Sequence, residues 1–150
     1  MAKFIYRMQN ILDIKYKLED QAKQEFSNAQ NQYDAEVRKL EKLKQRKREY
    51  TIEMRSYASD QLKIMELDRC NQAIEVMEIR ITEQIEVVFR AQATLDRARQ
   101  KLNYSMQERK TYEKLREHQF EEFLQELNVE EMKDIDELVS YQHNTTEEGA

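Results

Sequence analysis

The sequence LEDQAKQEFSNAQNQYDAEVRKLEKL, residues 18–43, decides the fold of this chain. Apolar residues recur in it at every third or fourth position, and they are Leu18, Ala22, Phe26, Ala29, Tyr33, Val37, Leu40 and Leu43. This spacing keeps one apolar stripe along one face of an α-helix. From Leu18 to Leu40 the steps form an 11-residue repeat, which favours a nearly straight or slightly right-handed supercoil.

The apolar stripe extends outward from this stretch, and a second one follows later in the chain. Toward the N-terminus the first stripe continues through Ile14, Ile11, Met8 and Phe4. The second has the alternating steps of three and four that are typical of a heptad seam, and Gln84 is the one polar residue in it. Its apolar members are Leu67, Cys70, Ile74, Met77, Ile81, Val88, Ala91, Leu95, Ala98 and Leu102. Two amphipathic helices are therefore predicted.

The two stripes match each other when the chain folds back on itself. In an antiparallel hairpin, the residue numbers of facing positions have a nearly constant sum. Ala22 with Ala98 and Leu43 with Met77 both sum to 120, and other apolar pairs sum to 120 or 121. Large residues then meet large ones and alanine meets alanine, as an interdigitated seam requires. The matching predicts a turn near residue 60.

We therefore predict an all-α protein, a long antiparallel two-helix coiled coil (an α-helical hairpin) with an overhanging C-terminal helix. Ser59 or Asp60 is the candidate N-cap of the second helix, because its side-chain oxygen can accept from free amides. The predicted hairpin covers residues 1–142, with a first arm over 3–57, a turn over 58–62, a second arm over 63–116 and a helical overhang over 117–142. A disordered tail is predicted over 143–150.

The overhang carries apolar residues that no other predicted part of the chain covers. They are Phe120, Phe123, Leu124, Leu127, Met132, Ile135 and Leu138. From Glu121 onward the acidic side chains are opposed almost only by Lys133. We expect a protein partner to cover this surface.

Composition excludes several classes of protein. One Gly and no Pro in 150 residues are too few for the turns of a compact β or α/β domain. No apolar run reaches the roughly 18–20 residues that span a bilayer, and the N-terminus lacks the apolar core of a signal peptide. We therefore expect a cytoplasmic protein without direct membrane insertion. The net charge of −5 argues against nucleic-acid binding, although residues 38–48 are basic.

The sequence also lacks the motifs of an enzyme. Gly149 is the only glycine, so no phosphate-binding loop is present. Neither His118 nor His143 lies at a metal-binding spacing such as Glu-x-x-His, and Cys70 has no second cysteine to complete a metal clamp. We predict a protein that is not an enzyme and uses no cofactor or metal.

The opening FIYRMQNILDIK, residues 4–15, followed by Ala22, Glu25-Phe26, Ala29-Gln30 and the charged arm to Tyr50, resembles the flagellar export protein FliJ family. The likeness implies an antiparallel coiled coil similar to the central stalk of rotary ATPases. It implies a cytoplasmic component of the flagellar type III export apparatus, associated with the cytoplasmic face of the membrane at the flagellar base. The implied partners are the hexameric export ATPase FliI, the export-gate protein FlhA and flagellar export chaperones.

The resemblance also suggests two partner-binding sites. We expect the ATPase on the overhang, at Phe120, Phe123, Leu124, Leu127 and Ile135. We expect the export gate at Leu43, Tyr50 and Met77, where the first arm approaches the turn and the second arm leaves it. Arg46 stands where many relatives have an aromatic residue, and a turn without Gly also departs from the family pattern.

A structural or chaperone coiled coil is the alternative reading. A parallel dimer would match each stripe with its own copy. A prefoldin-like subunit would need β-hairpins between its helices, and residues 56–67 show no alternation of apolar and polar residues.

Overall fold

The computed structural model describes residues 2–58 and 63–148, with side chains as far as residue 145. Helix α1 spans Gln9–Ala58 (50 residues) and helix α2 spans Ile64–Glu148 (85 residues). The residues that the structure describes contain no strand. The two helices pack together as an α-helical hairpin, which confirms the predicted all-α fold. The prefoldin-like and parallel-dimer alternatives find no support in it.

Local sequence supports both helices. The chain has no Pro, and its only Gly, Gly149, lies beyond the end of α2. Side chains three or four residues apart pair along the helix surfaces, as Arg46 does with Glu49 at 3.0 Å. Each such pair stabilises a helix by about 0.2–0.5 kcal/mol. Arg55 in the last turn of α1 and Glu66 in the first turn of α2 have the charges that the helix dipoles favour.

The seam between the helices is narrow and mostly apolar. Its most buried apolar residues are Leu12, Ala22 and Ala29 from α1 and Cys70, Ile74, Met77 and Leu95 from α2. Except for Leu12, all of these belong to the two predicted stripes. Contacts divide the chain into two compact units, unit 1 (Met1–Glu19 and Ser105–Ala150) and unit 2 (Asp20–Tyr104). In each unit a part of α1 packs on a part of α2.

The pairing of residues in unit 2 agrees with the predicted one only in part. Lys101 Nζ lies 2.9 Å from a Glu25 carboxylate oxygen, and these residue numbers sum to 126. Ala98 lines one groove with Ala29, not with its predicted partner Ala22. The cross-helix pairs of unit 2 therefore do not share one sum, because Glu36 with Gln84 keeps the predicted 120 whereas Glu25 with Lys101 gives 126. Apolar matching alone could not choose the register, because repeating stripes also fit at neighbouring offsets.

A polar layer, formed by the buried Glu36 and the half-buried Gln84, interrupts the seam of unit 2. Gln84 Nε2 donates to the Glu36 carbonyl oxygen at 3.0 Å and to its carboxylate at 2.5 Å. From α1 itself, Gln32 and Lys39 donate to the same carboxylate at 2.9 and 3.4 Å. The hydrogen bond from Gln84 outweighs the effect of burial and lowers the pKa of Glu36. Gln84, the polar residue of the predicted seam, thus donates a hydrogen bond to the buried carboxylate of Glu36.

In unit 1, residues 2–8 are not helical, although the first arm was predicted from residue 3. The Gln9 N–H donates to the Tyr6 carbonyl oxygen at 3.1 Å as α1 begins. The Tyr6 hydroxyl is buried and donates to the Tyr112 carbonyl oxygen at 3.2 Å. The Phe4 ring lies on α2 against Phe120, with 5.1 Å between centroids. The segment leaves the helical path because both aromatic rings then reach α2.

The face that α1 buries in unit 1 also differs from the predicted stripe. Leu12 is 1 % exposed and Glu19 is buried. Arg109 of α2 binds the Glu19 carboxylate through Nε at 2.6 Å and Nη2 at 3.3 Å. Burying this ion pair and Leu12 orients α1 so that part of the predicted stripe faces outward. The stripe residues left exposed are Ile11, Ile14 and Leu18.

The C-terminal end of α2 extends beyond its predicted limit. The helix continues to Glu148, whereas the predicted helical end was residue 142 and the predicted disordered tail was 143–150. No Gly or Pro precedes Gly149, and the Thr145 hydroxyl donates to the Tyr141 carbonyl oxygen at 2.7 Å. Helix α2 therefore extends six residues past the predicted helical end. The predicted N-caps Ser59 and Asp60 lie outside the described residues.

Candidate partner-binding surfaces

Three phenylalanine rings form an aromatic cluster in unit 1. Phe4 meets Phe120 edge-on at 72° and lies 5.6 Å from Phe123, and the two α2 rings are 6.4 Å apart. Such pairs are worth about 0.5–1.5 kcal/mol beyond the area they bury. The N-terminal segment continues along α2 as far as Glu126, with which Lys3 lines one groove. The first part of the predicted overhang is therefore partly covered by the chain itself, contrary to expectation.

A cavity of about 480 Å³ opens beside this cluster. Aromatic rings and charged groups line it together, namely Phe4, Tyr16, Glu113, Arg116, Glu117 and Phe120. Sequence reasoning missed this cavity because it depends on the non-helical path of residues 2–8.

A polar network braces α1 against α2 next to the cavity. Arg109 binds Glu19 and also donates to Glu113 through Nη1 at 3.0 Å. The Tyr16 hydroxyl donates to Glu113 from the other side. This hydrogen bond from Tyr16, together with Arg109, lowers the pKa of Glu113, while the bond to Glu19 raises the pKa of Arg109. Glu113 and Arg109 therefore stay ionised near neutral pH, which suits a structural brace.

Beyond Glu126, α2 presents exposed apolar side chains. Met132 is 68 % exposed. Together with it, the exposed members of this row, which we call the C-terminal row, are Val129, Ile135, Leu138 and Val139. Of the other residues expected to bind the ATPase, Phe120 and Leu124 are also exposed, whereas Phe123 and Leu127 are half-buried. The row is flanked by acids, which are Glu121, Glu122, Glu126, Glu130, Glu131, Asp134, Asp136 and Glu137.

A second exposed apolar face lies on α1 in unit 1. Ile11, Ile14 and Leu18 follow one another at steps of three and four, so they share one side of the helix. The apolar stripe predicts these residues in the seam and not on the surface. The sequence holds one sign of this difference. Because Ile11 and Leu12 are adjacent, the helix can bury either of the two, and it buries Leu12.

The residues expected to bind the export gate lie at the seam of unit 2. Met77 is 8 % exposed, and Leu43 and Tyr50 are half-buried. The Arg46 guanidinium lies 4.7 Å from the centre of the Tyr50 ring and donates to the Tyr50 hydroxyl at 3.2 Å. Only Leu43 and Tyr50 of the three therefore offer side-chain surface to a partner.

A more exposed apolar pair of unit 2 was not singled out from the sequence. Phe89 is 71 % exposed, and Ile85, one turn earlier, is half exposed. Both residues lie between members of the second apolar stripe, so the helical periodicity does not single them out.

Within 2–58 and 63–148, no three His, Cys, Asp or Glu side chains are grouped so that they could hold a metal ion. Burial raises the pKa of the Cys70 thiol, which makes it a poor nucleophile. His118 lies 3.7 Å from Glu121 at the surface. None of the described helices is long and apolar enough to cross a membrane.

Comparisons with known proteins agree with this geometry. The family model described as "Flagellar FliJ protein" matches residues 4–148. Among solved structures, the chain is similar to a YscO homologue from Chlamydia trachomatis, with a TM-score of 0.63 and 22% sequence identity. That match covers 99% of this chain and 100% of the other, and at this identity it supports the fold alone. Comparison with curated proteins finds no match.

Proposed function

Because the chain belongs to the flagellar FliJ protein family, we propose that it is the stalk-like element that binds and stimulates the export ATPase FliI. Family membership supports the broader statement that the chain is a component of the type III export apparatus. Members of the family are non-catalytic export components. The proposed ATPase contact therefore acts by binding and not by chemistry.

The observation that carries the proposal is the C-terminal row on α2. Five large apolar side chains, including Met132 and Ile135, are exposed there along one short stretch of helix. Exposed apolar surface of this kind is typical of a protein-binding site. Because the flanking side chains are almost all acidic, the matching surface on the ATPase should be an apolar groove with a basic rim.

The proposed ATPase contact has two parts. Phe120 and Phe123 already pack on Phe4, so they would present a preformed aromatic surface to the partner. Ile135 and the rest of the C-terminal row have no such cover in the described chain and would supply most of the newly buried area. Leu124 and Leu127 lie between the two parts.

We place the proposed contact with the export gate FlhA in unit 2, at Leu43 and Tyr50. Lys47 Nζ lies 3.3 Å from Glu78, so this part of α1 lies next to the start of α2, where Met77 is buried. Met77 would then support the contact from within the seam. We also propose that the chain binds flagellar export chaperones and that it acts at the cytoplasmic face of the membrane.

The proposed mechanism is mechanical coupling. Helix α1 runs without interruption for 50 residues and α2 for 85. A continuous helix braced by a second one resists bending, so it can convey a displacement along its length. We propose that nucleotide-dependent changes in the ATPase act on unit 1 and reach the gate-binding residues of unit 2 in this way.

The test replaces two residues of the C-terminal row in the full chain, Ile135→Ser with Leu138→Ser. Burying an Ile or Leu side chain is worth about 1.5–3 kcal/mol, so the loss should weaken capture of FliI at least about tenfold. Stimulation of ATP hydrolysis should fall in parallel. Surface plasmon resonance and a phosphate-release assay measure the two quantities.

The matched control is Ile85→Ser with Phe89→Ser, which removes an equally exposed apolar pair from unit 2. We expect this variant to capture FliI as the unaltered chain does. Equal weakening by both variants would contradict the assignment of the ATPase to the C-terminal row. Failure of the unaltered chain to bind or stimulate FliI would contradict the proposed function itself.

A further inference from the structure

We propose that the Glu36–Gln84 layer is a register lock, which keeps α1 and α2 of unit 2 from sliding past each other by one heptad. The proposal concerns a device built into the fold and does not rest on the proposed function. It assigns a role to Gln84, the polar residue that interrupts an otherwise apolar seam.

The apolar seam of unit 2 does not select one register by itself. Leu43 and Met77, with residue numbers summing to 120, match well in size. Ala29 and Ala98, whose residue numbers sum to 127, match equally well and correspond to an offset of one heptad. A slide of seven residues moves each seam position onto the next equivalent one, so most apolar contacts are regained. Another interaction must therefore choose the register.

The polar layer makes a slide unfavourable in both directions. Glu36 is buried, and Gln84 donates to both its carbonyl oxygen and its carboxylate. Displacement by one heptad would bring Met77 or Ala91 opposite Glu36 in place of Gln84. Neither side chain can donate a hydrogen bond, so the buried carboxylate would lose its partner from α2. Single buried polar groups are well attested as devices that specify register in coiled coils.

The helix ends near the turn offer little resistance to such a slide. A slide transfers residues between the ends of the helices and their connection. Ile52 at the end of α1 is 67 % exposed, and Ile64 and Met65 at the start of α2 are at least as exposed. Unwinding a turn at either end would therefore expose little new apolar surface. Within unit 2, resistance to a slide therefore comes from the interior, where the polar layer lies.

The test measures a distance between two spin labels in unit 2. Labels at Lys42→Cys and Gln100→Cys, in a Cys70→Ala background, lie on different helices and at exposed positions. A heptad slide changes their axial separation by about 10 Å, at ~1.5 Å per residue. With the layer intact we expect one narrow distance by double electron–electron resonance. With Glu36→Leu and Gln84→Leu we expect a second distance about 10 Å away.

Two controls separate register from general stability. Glu25→Leu with Lys101→Leu removes an exposed ion pair between the same helices and should leave one distance. Glu36→Gln keeps a hydrogen-bonding side chain opposite Gln84 and should also leave one distance. A single unchanged distance in the double leucine variant would overturn the proposal. Loss of helical circular dichroism in that variant would overturn it too, because the layer would then hold the helices together and not choose between registers.

Discussion

Replacing Leu12 with alanine should destabilise the protein far more than replacing Ile14, two residues further along the same helix. Leu12 is 1 % exposed, whereas Ile14, which the apolar stripe assigns to the seam, is 53 % exposed. Both residues belong to unit 1, and both substitutions leave the same alanine side chain on α1. The pair therefore tests directly which face of the helix is buried.

The expected magnitudes follow from burial. Leu→Ala at a fully buried site costs about 2–5 kcal/mol, and a seam only two helices thick should lie in the lower half of this range, at about 2.5–3 kcal/mol. Roughly half of the Ile14 side chain is buried, and this burial stabilises the protein by about 1 kcal/mol. The better helix propensity of alanine offsets part of this loss, which leaves about 0.5 kcal/mol.

Thermal unfolding followed by circular dichroism at 222 nm measures both effects. For a chain of this size, 1 kcal/mol corresponds to about 2–4 °C in Tm. We therefore expect Leu12→Ala to lower Tm by about 5–12 °C and Ile14→Ala by about 2 °C or less. An equal or larger fall for Ile14→Ala would refute the observed orientation of α1 and restore the stripe read from the sequence.

Three further outcomes are expected. Arg109→Leu should lower Tm more than the double variant Glu19→Leu/Arg109→Leu, because the single change leaves a buried carboxylate without its guanidinium; equal values would contradict the role of this ion pair. The pKa of Glu36 is lowered on folding, so its contribution to stability is present above the unfolded pKa and is lost as pH falls through the folded pKa. Between pH 5 and 3 the Tm of Glu36→Gln should therefore fall less steeply than that of the unaltered chain, and parallel curves would contradict this. Phe4→Ala should release the N-terminal segment, which hydrogen exchange at the Gln9 amide, the donor to the Tyr6 carbonyl oxygen, would detect as faster exchange; unchanged protection would contradict the anchoring by the aromatic cluster.

The two helices and the hairpin could be predicted from the sequence. Steps of three and four in residues such as Ala22 and Ala29, in a chain without Pro, allow no other regular structure of comparable length. The polar residue Gln84 could also be recognised as an exception within its stripe. What the pattern did not reveal was its partner Glu36, because a charged residue beside a stripe is usually at the surface.

The details of unit 1 depend on interactions that are distant in sequence. The ion pair between Glu19 and Arg109 joins residues 90 positions apart, and it orients α1 so that Leu12 is buried. Phe4 leaves the helical path to meet α2, which a helical periodicity cannot indicate. The exposed C-terminal row, in contrast, was predictable, because Ile135 and its neighbours lie beyond any apolar residue that the first arm could offer.

The most direct test of the hairpin is a cross-link within one chain. Gln32 and Thr94 line the same groove of unit 2, on α1 and α2 respectively. Cysteines at these two positions, with Cys70→Ala, should react with a short bismaleimide to give a cross-linked monomer at low protein concentration. If the product is instead a covalent dimer, containing one tagged and one untagged chain when the two are mixed, the chain does not fold back on itself.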